Sequence, residues 1–352
     1  MSKKKYLTIL LTVLLLMLGG WALLIIIFDP YFHFHAPIPG LSYRLYEERY
    51  INDGIGRHFE YDAIITGTSM SQNFKTSEFD ALFGVHSVKV PFAGAGFLEV
   101  KENLDRCLKR NPECKTVLMP VDFNGLIRAW DWNQYGNQPV YLYDDNPLND
   151  ASYLWNKDVF YRGLLTNLVM TVKGEETTSF DDYDSWDTPT GLEAIMNSGY
   201  ERRAEIQPMN ETYTEEDRGL LTGTKENIFI PLLEDHPDVT FYFFYTPYSV
   251  VSFDEMYREG RLKEVFMAEE EVTELLLSYP NVHLFCFLDD HELIEDLNNY
   301  RDKEHYAAPV NSLILTRIAR GEYELTKENY REHVAETLDF LMNYDYDGIY
   351  LQ

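Results

Sequence analysis

The segment DAIITGTSMSQNF (62–74) runs from an apolar triplet straight into a cluster of hydroxyls, Thr66, Thr68, Ser69 and Ser71, gathered around Gly67. Residues of these types at the end of a strand can do one of two things. They cap the orphan N–H groups of a following helix, or one of them is a nucleophile held at the top of a sheet. A serine hydroxyl attacks weakly until a base takes its proton, so the second reading requires an imidazole and a group to orient it. Far downstream, NNYRDKEHYAAP (298–309) supplies Asp302 and His305. That spacing lets the carboxylate accept from one ring nitrogen while the other ring nitrogen faces a serine. The spacing alone carries little, because nine histidines share the chain with 58 acidic residues. Its position, after the last strand expected below, carries the argument.

The elements that must position these groups are legible as alternating apolar runs and amphipathic stretches. Strands are expected at 63–66, 87–92, 116–122, 239–246 and 282–288, with helices at 76–83, 97–110, 253–278, 291–299, 309–320 and 326–343. In the last helix Tyr330, Val334, Leu338 and Leu341 form one apolar stripe. Uninterrupted apolar strands alternating with helices indicate an α/β fold, a parallel sheet of about five strands covered on both faces. In such sheets reactive groups collect at the carboxyl ends of the strands, where Ser69 lies. The alternation breaks between 125 and 235, an interval containing Trp130, Trp132, Trp155 and Trp186 and a possible helix at 158–172, and read as an insertion after the third strand.

Gly67-Thr68-Ser69-Met70 resembles the Gly-Asp-Ser-Leu block of the SGNH/GDSL hydrolases, with Thr and Met where Asp and Leu are usual. The second block of that family, a Gly after the second strand, falls in VPFAGAGF on Gly94 or, second, Gly96. Asp122-Phe123-Asn124-Gly125 stands where Gly-x-Asn-Asp is usual, and Asp302 and His305 match the final Asp-x-x-His. The resemblance covers most of 60–345 apart from the insertion and implies a flavodoxin-like sheet. It also implies Ser69 as nucleophile, His305 as base and Asp302 as its orienter. An oxyanion hole would comprise the N–H groups of Ser69 and Gly94 and the amide of Asn124. No metal or organic cofactor is implied. Absent that chemistry, Gly94 and Gly96 are turn residues, Asn124 bonds its own loop, and Asp302 and His305 begin an exposed helix.

Residues 6–28 carry no charge and, as a helix, extend roughly 35 Å, enough to cross a bilayer. A cleaved signal peptide is the alternative, but Trp21 and the run 23–28 occupy the place of its small-residue cleavage site. Lys3, Lys4 and Lys5 put the short tail 1–5 in the cytoplasm and the remainder outside. The expected organisation is tail, anchor (6–28), juxtamembrane segment (29–59) and catalytic domain (60–345). A single anchor further resembles the extracytoplasmic branch of the family that modifies envelope polymers, including proteins of alginate O-acetylation and teichoic acid D-alanylation. The partners so implied are an acylated glycan or related polymer, the membrane and a membrane acyltransferase. A net charge of −28 with no basic patch argues against nucleic acid. Cys107, Cys114 and Cys286 are too few for a disulfide framework; a Cys107–Cys114 pair outside the membrane is the alternative, but their place at a helix end and the following turn reads them as small hydrophobes. His33 and His35 lack a local acidic or thiol companion and read as an interfacial aromatic stretch. Trp130, Trp132 and Trp155 are either core residues or faces on which a sugar stacks. The resemblance thus implies an extracytoplasmic serine esterase or acyltransferase acting on acyl, above all acetyl, esters of an envelope glycan or related polymer. The alternative is an inactive relative that binds a glycan or an acyltransferase.

Overall fold

A computed structural model describes residues 2–134, 139–144 and 146–351. The chain divides into two compact units, Met1–Glu60 with Asn137–Asp184, and Tyr61–Gly136 with Ser185–Gln352. The interval read as one insertion is therefore split: 137–184 belongs with the N-terminal segment and the stretch from 185 onward with the sheet.

In the first unit the helix Lys3–Phe28 is long and apolar enough to cross a membrane, with a mean hydropathy of 2.7 and only 6% of its apolar window buried. It ends at Asp29, whose left-handed backbone (φ 34°) turns the chain back. The buried Asp29 carboxylate accepts from the N–H groups of His33, Phe34 and His35 and from the Tyr153 hydroxyl (2.8 Å). That last bond ties residues 124 positions apart, which is why local pattern did not join the two segments. His33 does have an acidic partner, Asp150 at 2.9 Å, brought from the same distant segment.

The second unit holds a six-stranded sheet. Its strands are β1 (Ala63–Gly67), β2 (Ser87–Pro91), β3 (Thr116–Val121), β4 (Thr240–Tyr245), β5 (Val282–Cys286) and β6 (Glu324–Leu325). Their order is β2-β1-β3-β4-β5-β6. The first five run parallel, and β6 is antiparallel to β5 through Leu284 and Leu325. The sheet thus has one strand more than expected, a two-residue edge too short to leave a periodic signal. Strands β1 and β2 are buried throughout, as parallel strands between helical layers must be. The reversal of order between β1 and β3 makes a crevice at their carboxyl ends. The single helix expected at 253–278 is two, Val250–Arg258 and Leu262–Leu276. They part at Gly260, which has φ 73° and whose absent Cβ would lie 2.2 Å from the Pro208 carbonyl oxygen. All three cysteines are free and buried.

Candidate active site

Strand β1 leaves the sheet through Gly67, at φ 140°, where a Cβ would stand 2.6 Å from the Pro120 ring. A side chain there would collide with β3, so glycine is what allows the hydroxyl cluster to turn over the sheet edge. The next residues form a single 3-10 turn, Ser69–Ser71, capped by Thr68, whose hydroxyl accepts from the Met70 N–H (3.3 Å). The Ser71 hydroxyl donates to the Thr68 carbonyl (2.7 Å). Thr68 and Ser71 therefore do the local backbone work, and the Ser69 hydroxyl is left to point elsewhere.

Ser69 Oγ lies 2.7 Å from His305 Nε2, across 236 positions of chain. On the far side of the ring, His305 Nδ1 is 2.9 Å from both Asp302 carboxylate oxygens. The carboxylate is held in turn, because Oδ1 accepts from the N–H groups of Glu304 (2.9 Å) and His305 (2.8 Å). Burial alone would raise the Asp302 carboxyl. The hydrogen bond and charge of His305, with those two N–H groups, outweigh it and hold the group far below the ordinary carboxylate range. An ionised Asp302 puts the ring proton on Nδ1 and leaves the Nε2 lone pair facing Ser69.

Ser69 opens on a pocket of about 230 Å³ lined by Gly94, Asp122, Asn124, Trp130, Trp132 and Glu304, among others. Gly94 is left-handed (φ 65°) in the turn after β2. Gly96 instead caps the helix Phe97–Arg110 and packs so tightly that a Cβ would sit 2.2 Å from the Trp132 carbonyl oxygen. Asn124 reaches the pocket, yet its amide donates to Glu304 Oε1 at 2.9 Å. Trp130 and Trp132 both line the pocket, the latter under the Arg128 guanidinium at 4.3 Å. Trp155 is the exception among the tryptophans expected there. It belongs to the first unit, where its indole N–H donates to the Leu18 carbonyl at 3.1 Å on the apolar helix.

Three contributors were not singled out by sequence. Trp186 stands edge-on to His305 with ring centroids 6.2 Å apart, and the Arg301 guanidinium lies 4.4 Å over its indole. Asp122 accepts from the Thr68 hydroxyl at 2.7 Å, while its other oxygen is buried without a partner among the described residues. Burial pushes this carboxyl up to about 6, against the pull of the Thr68 hydrogen bond and with the help of the Glu304 charge. Through this bond a carboxyl from the end of β3 stands beside the residue that precedes the serine. Glu304 lies between Asp302 and His305 and gave no signal of its own.

Among the described residues the side chains grouped as a possible metal site are not these but Glu269, Cys286 and His333. No protein-family model, curated protein or solved structure matches the chain.

Proposed function

We propose that the second unit is an SGNH-like serine acyl hydrolase or O-acyltransferase. It would be anchored by the helix Lys3–Phe28 with its N-terminus cytoplasmic, and would act outside the membrane on acyl, above all acetyl, esters of an envelope glycan or related polymer. The observation that carries this reading is the continuous hydrogen-bonded chain from Ser69 Oγ through His305 to Asp302. The strand order β2-β1-β3-β4-β5-β6, with its crevice beyond β1 and β3, supports this reading.

In the proposed reaction Ser69 Oγ bonds to the ester carbonyl carbon as its proton passes to His305 Nε2. The tetrahedral oxyanion is stabilised by the N–H groups of Ser69 and Gly94 and by the Asn124 amide. Collapse breaks the ester bond, and His305 returns the proton to the departing alkoxide. The acyl-serine then yields to water or to a sugar hydroxyl, with His305 again the base, giving hydrolysis or transfer. Trp130 and Trp132 offer apolar faces for a sugar ring at the pocket wall.

A second reading is favoured by one specific contact. The Asn124 amide is occupied by Glu304, as it would be in a relative that binds an acylated glycan or an acyltransferase without turnover. The experiment separating the two incubates the full chain, in detergent, with O-acetylated glycan and with a sugar acceptor. Release or transfer of acetate that is lost in Ser69→Ala supports the enzyme. Binding without acetate release, unchanged by Ser69→Ala, rejects it.

A further inference from the structure

Apart from the residues of the catalytic chain, three groups from three elements converge in the core. Glu269 lies on the helix Leu262–Leu276, Cys286 ends β5, and His333 lies on the helix Tyr330–Met342. One ligand atom of each lies within 4.8 Å of the others. Glu269 and Cys286 are fully buried and His333 is 7% exposed. Their hydrogen bonds are incomplete in a telling way. Glu269 Oε2 and His333 Nε2 are buried with no partner among the described residues. A buried carboxylate oxygen and a buried ring nitrogen left unpaired each cost free energy that a polar partner would remove.

Within the cluster the Cys286 thiol donates to Glu269 Oε1 at 3.6 Å, a proton that binding of a cation would release to solvent. Asp289 Oδ2 accepts from His333 Nδ1 at 2.6 Å, and Thr337 donates to Oδ1 of the same carboxylate (2.9 Å). This fixes the ring with Nε2 as its free lone pair, the carboxylate–histidine arrangement that orients metal ligands. A thiolate, a carboxylate and a neutral imidazole carry two negative charges together, which a divalent ion balances. Beside His333 a surface cleft of about 170 Å³ is lined by Asp289, Glu324, Glu332 and Glu336, an acidic route by which a cation could enter.

We propose that Glu269, Cys286 and His333 form a structural site for one divalent transition-metal ion of the zinc class. Such a site would fasten the C-terminal helix and the helix Leu262–Leu276 to the end of β5. Mixed sulfur, nitrogen and oxygen donors suit zinc rather than magnesium or calcium. Bond lengths of about 2.0–2.3 Å at a tetrahedral ion put donor atoms roughly 3.5 Å apart, so donors that lie within 4.8 Å of one another close by at most about 1.3 Å on binding. Water completes the shell. The site is independent of the acyl chemistry and stands whether or not Ser69 is reactive.

The test uses the full chain in detergent, stripped with chelator, exposed to zinc or cobalt(II) and desalted. Expected are one zinc per chain by elemental mass spectrometry and a thiolate-to-cobalt charge-transfer band. The double variant Cys107→Ala/Cys114→Ala, which retains only the thiol of Cys286, keeps that band. In Cys286→Ala the band vanishes, and there and in His333→Ala zinc affinity falls by roughly 100-fold or more. Absence of the band from the wild type, its loss in the double variant, or zinc held equally by the wild type and both ligand variants overturns the proposal. If the ligand variants do not fold, the wild type and the double variant decide the matter alone.

Discussion

Replacing Asp302 by Asn tests the geometry more sharply than deleting it, because the structure dictates which way the new amide must face. Oδ1 of Asp302 accepts two backbone N–H groups, those of Glu304 and His305, at 2.9 and 2.8 Å. In the variant the amide oxygen must keep that position, since turning the NH2 group there would set donor against donor twice. The NH2 group is therefore driven into the place of Oδ2, 2.9 Å from His305 Nδ1. A donor at that point repels a proton on Nδ1, and the amide oxygen, also 2.9 Å from Nδ1, already accepts two backbone N–H groups and holds that proton only weakly, so the ring proton moves to Nε2. His305 then donates to Ser69 Oγ and has no lone pair to accept the proton. Triads carrying this change lose about 10⁴ in turnover, or about 5.4 kcal/mol of transition-state stabilisation. The assay is acetyl release from a chromogenic ester, with thermal unfolding run in parallel to show that the fold persists. Turnover within tenfold of wild type in folded Asp302→Asn would refute the reasoning.

Four other outcomes follow from the contacts described above. Asn124→Ala should lower turnover roughly 100- to 1000-fold, the usual cost of losing one oxyanion donor. Glu304→Ala, which frees the Asn124 amide, should leave turnover within about tenfold of wild type; an equal loss in both variants would make the pair a structural unit instead. Asp122 carries a folded-state value of about 6 against roughly 3.9 when unfolded. A raised value favours the folded protein at low pH, and the advantage is lost as pH rises from about 4 to about 6. Across that window urea unfolding should show wild type losing about 3 kcal/mol relative to Asp122→Asn. A difference that stays flat, or that grows with pH, contradicts the burial of this group. Gly67→Ala adds a Cβ 2.6 Å from the Pro120 ring at a φ of 140°, so overpacking and strain together should cost about 2–4 kcal/mol of unfolding free energy, seen as a lower urea midpoint. A neutral result would mean that the strand exit is looser than described.

The sheet was legible because its strands are buried on both faces and bounded by clear turn residues. Each of the five parallel strands is close to its apolar run, from Ala63–Gly67 to Val282–Cys286. What escaped was set by distance or by brevity. The two-residue strand Glu324–Leu325 has no room for periodicity. The break at Gly260 is imposed by the approach of the Pro208 carbonyl, invisible in a window that is otherwise helical. Trp155 shares its aromatic character with Trp130 and Trp132, but bonds such as that between Tyr153 and Asp29 carry its segment into the first unit. Ser69, His305 and Asp302 were found because a hydroxyl at a strand end demands a base, and few positions could supply one. Asp122 meets Thr68, Trp186 meets His305 and Glu304 meets Asn124 from segments far apart in the chain, and no local pattern reports those contacts.

The central claim is that the Ser69 hydroxyl, activated by His305, is a nucleophile. The most direct measurement is exposure of the full chain to a fluorophosphonate probe, followed by intact mass and peptide mapping. One adduct per chain is expected, located on Ser69, absent from Ser69→Ala and strongly slowed in His305→Ala. No adduct on the folded wild type, or an adduct on another residue that persists in Ser69→Ala, would contradict it.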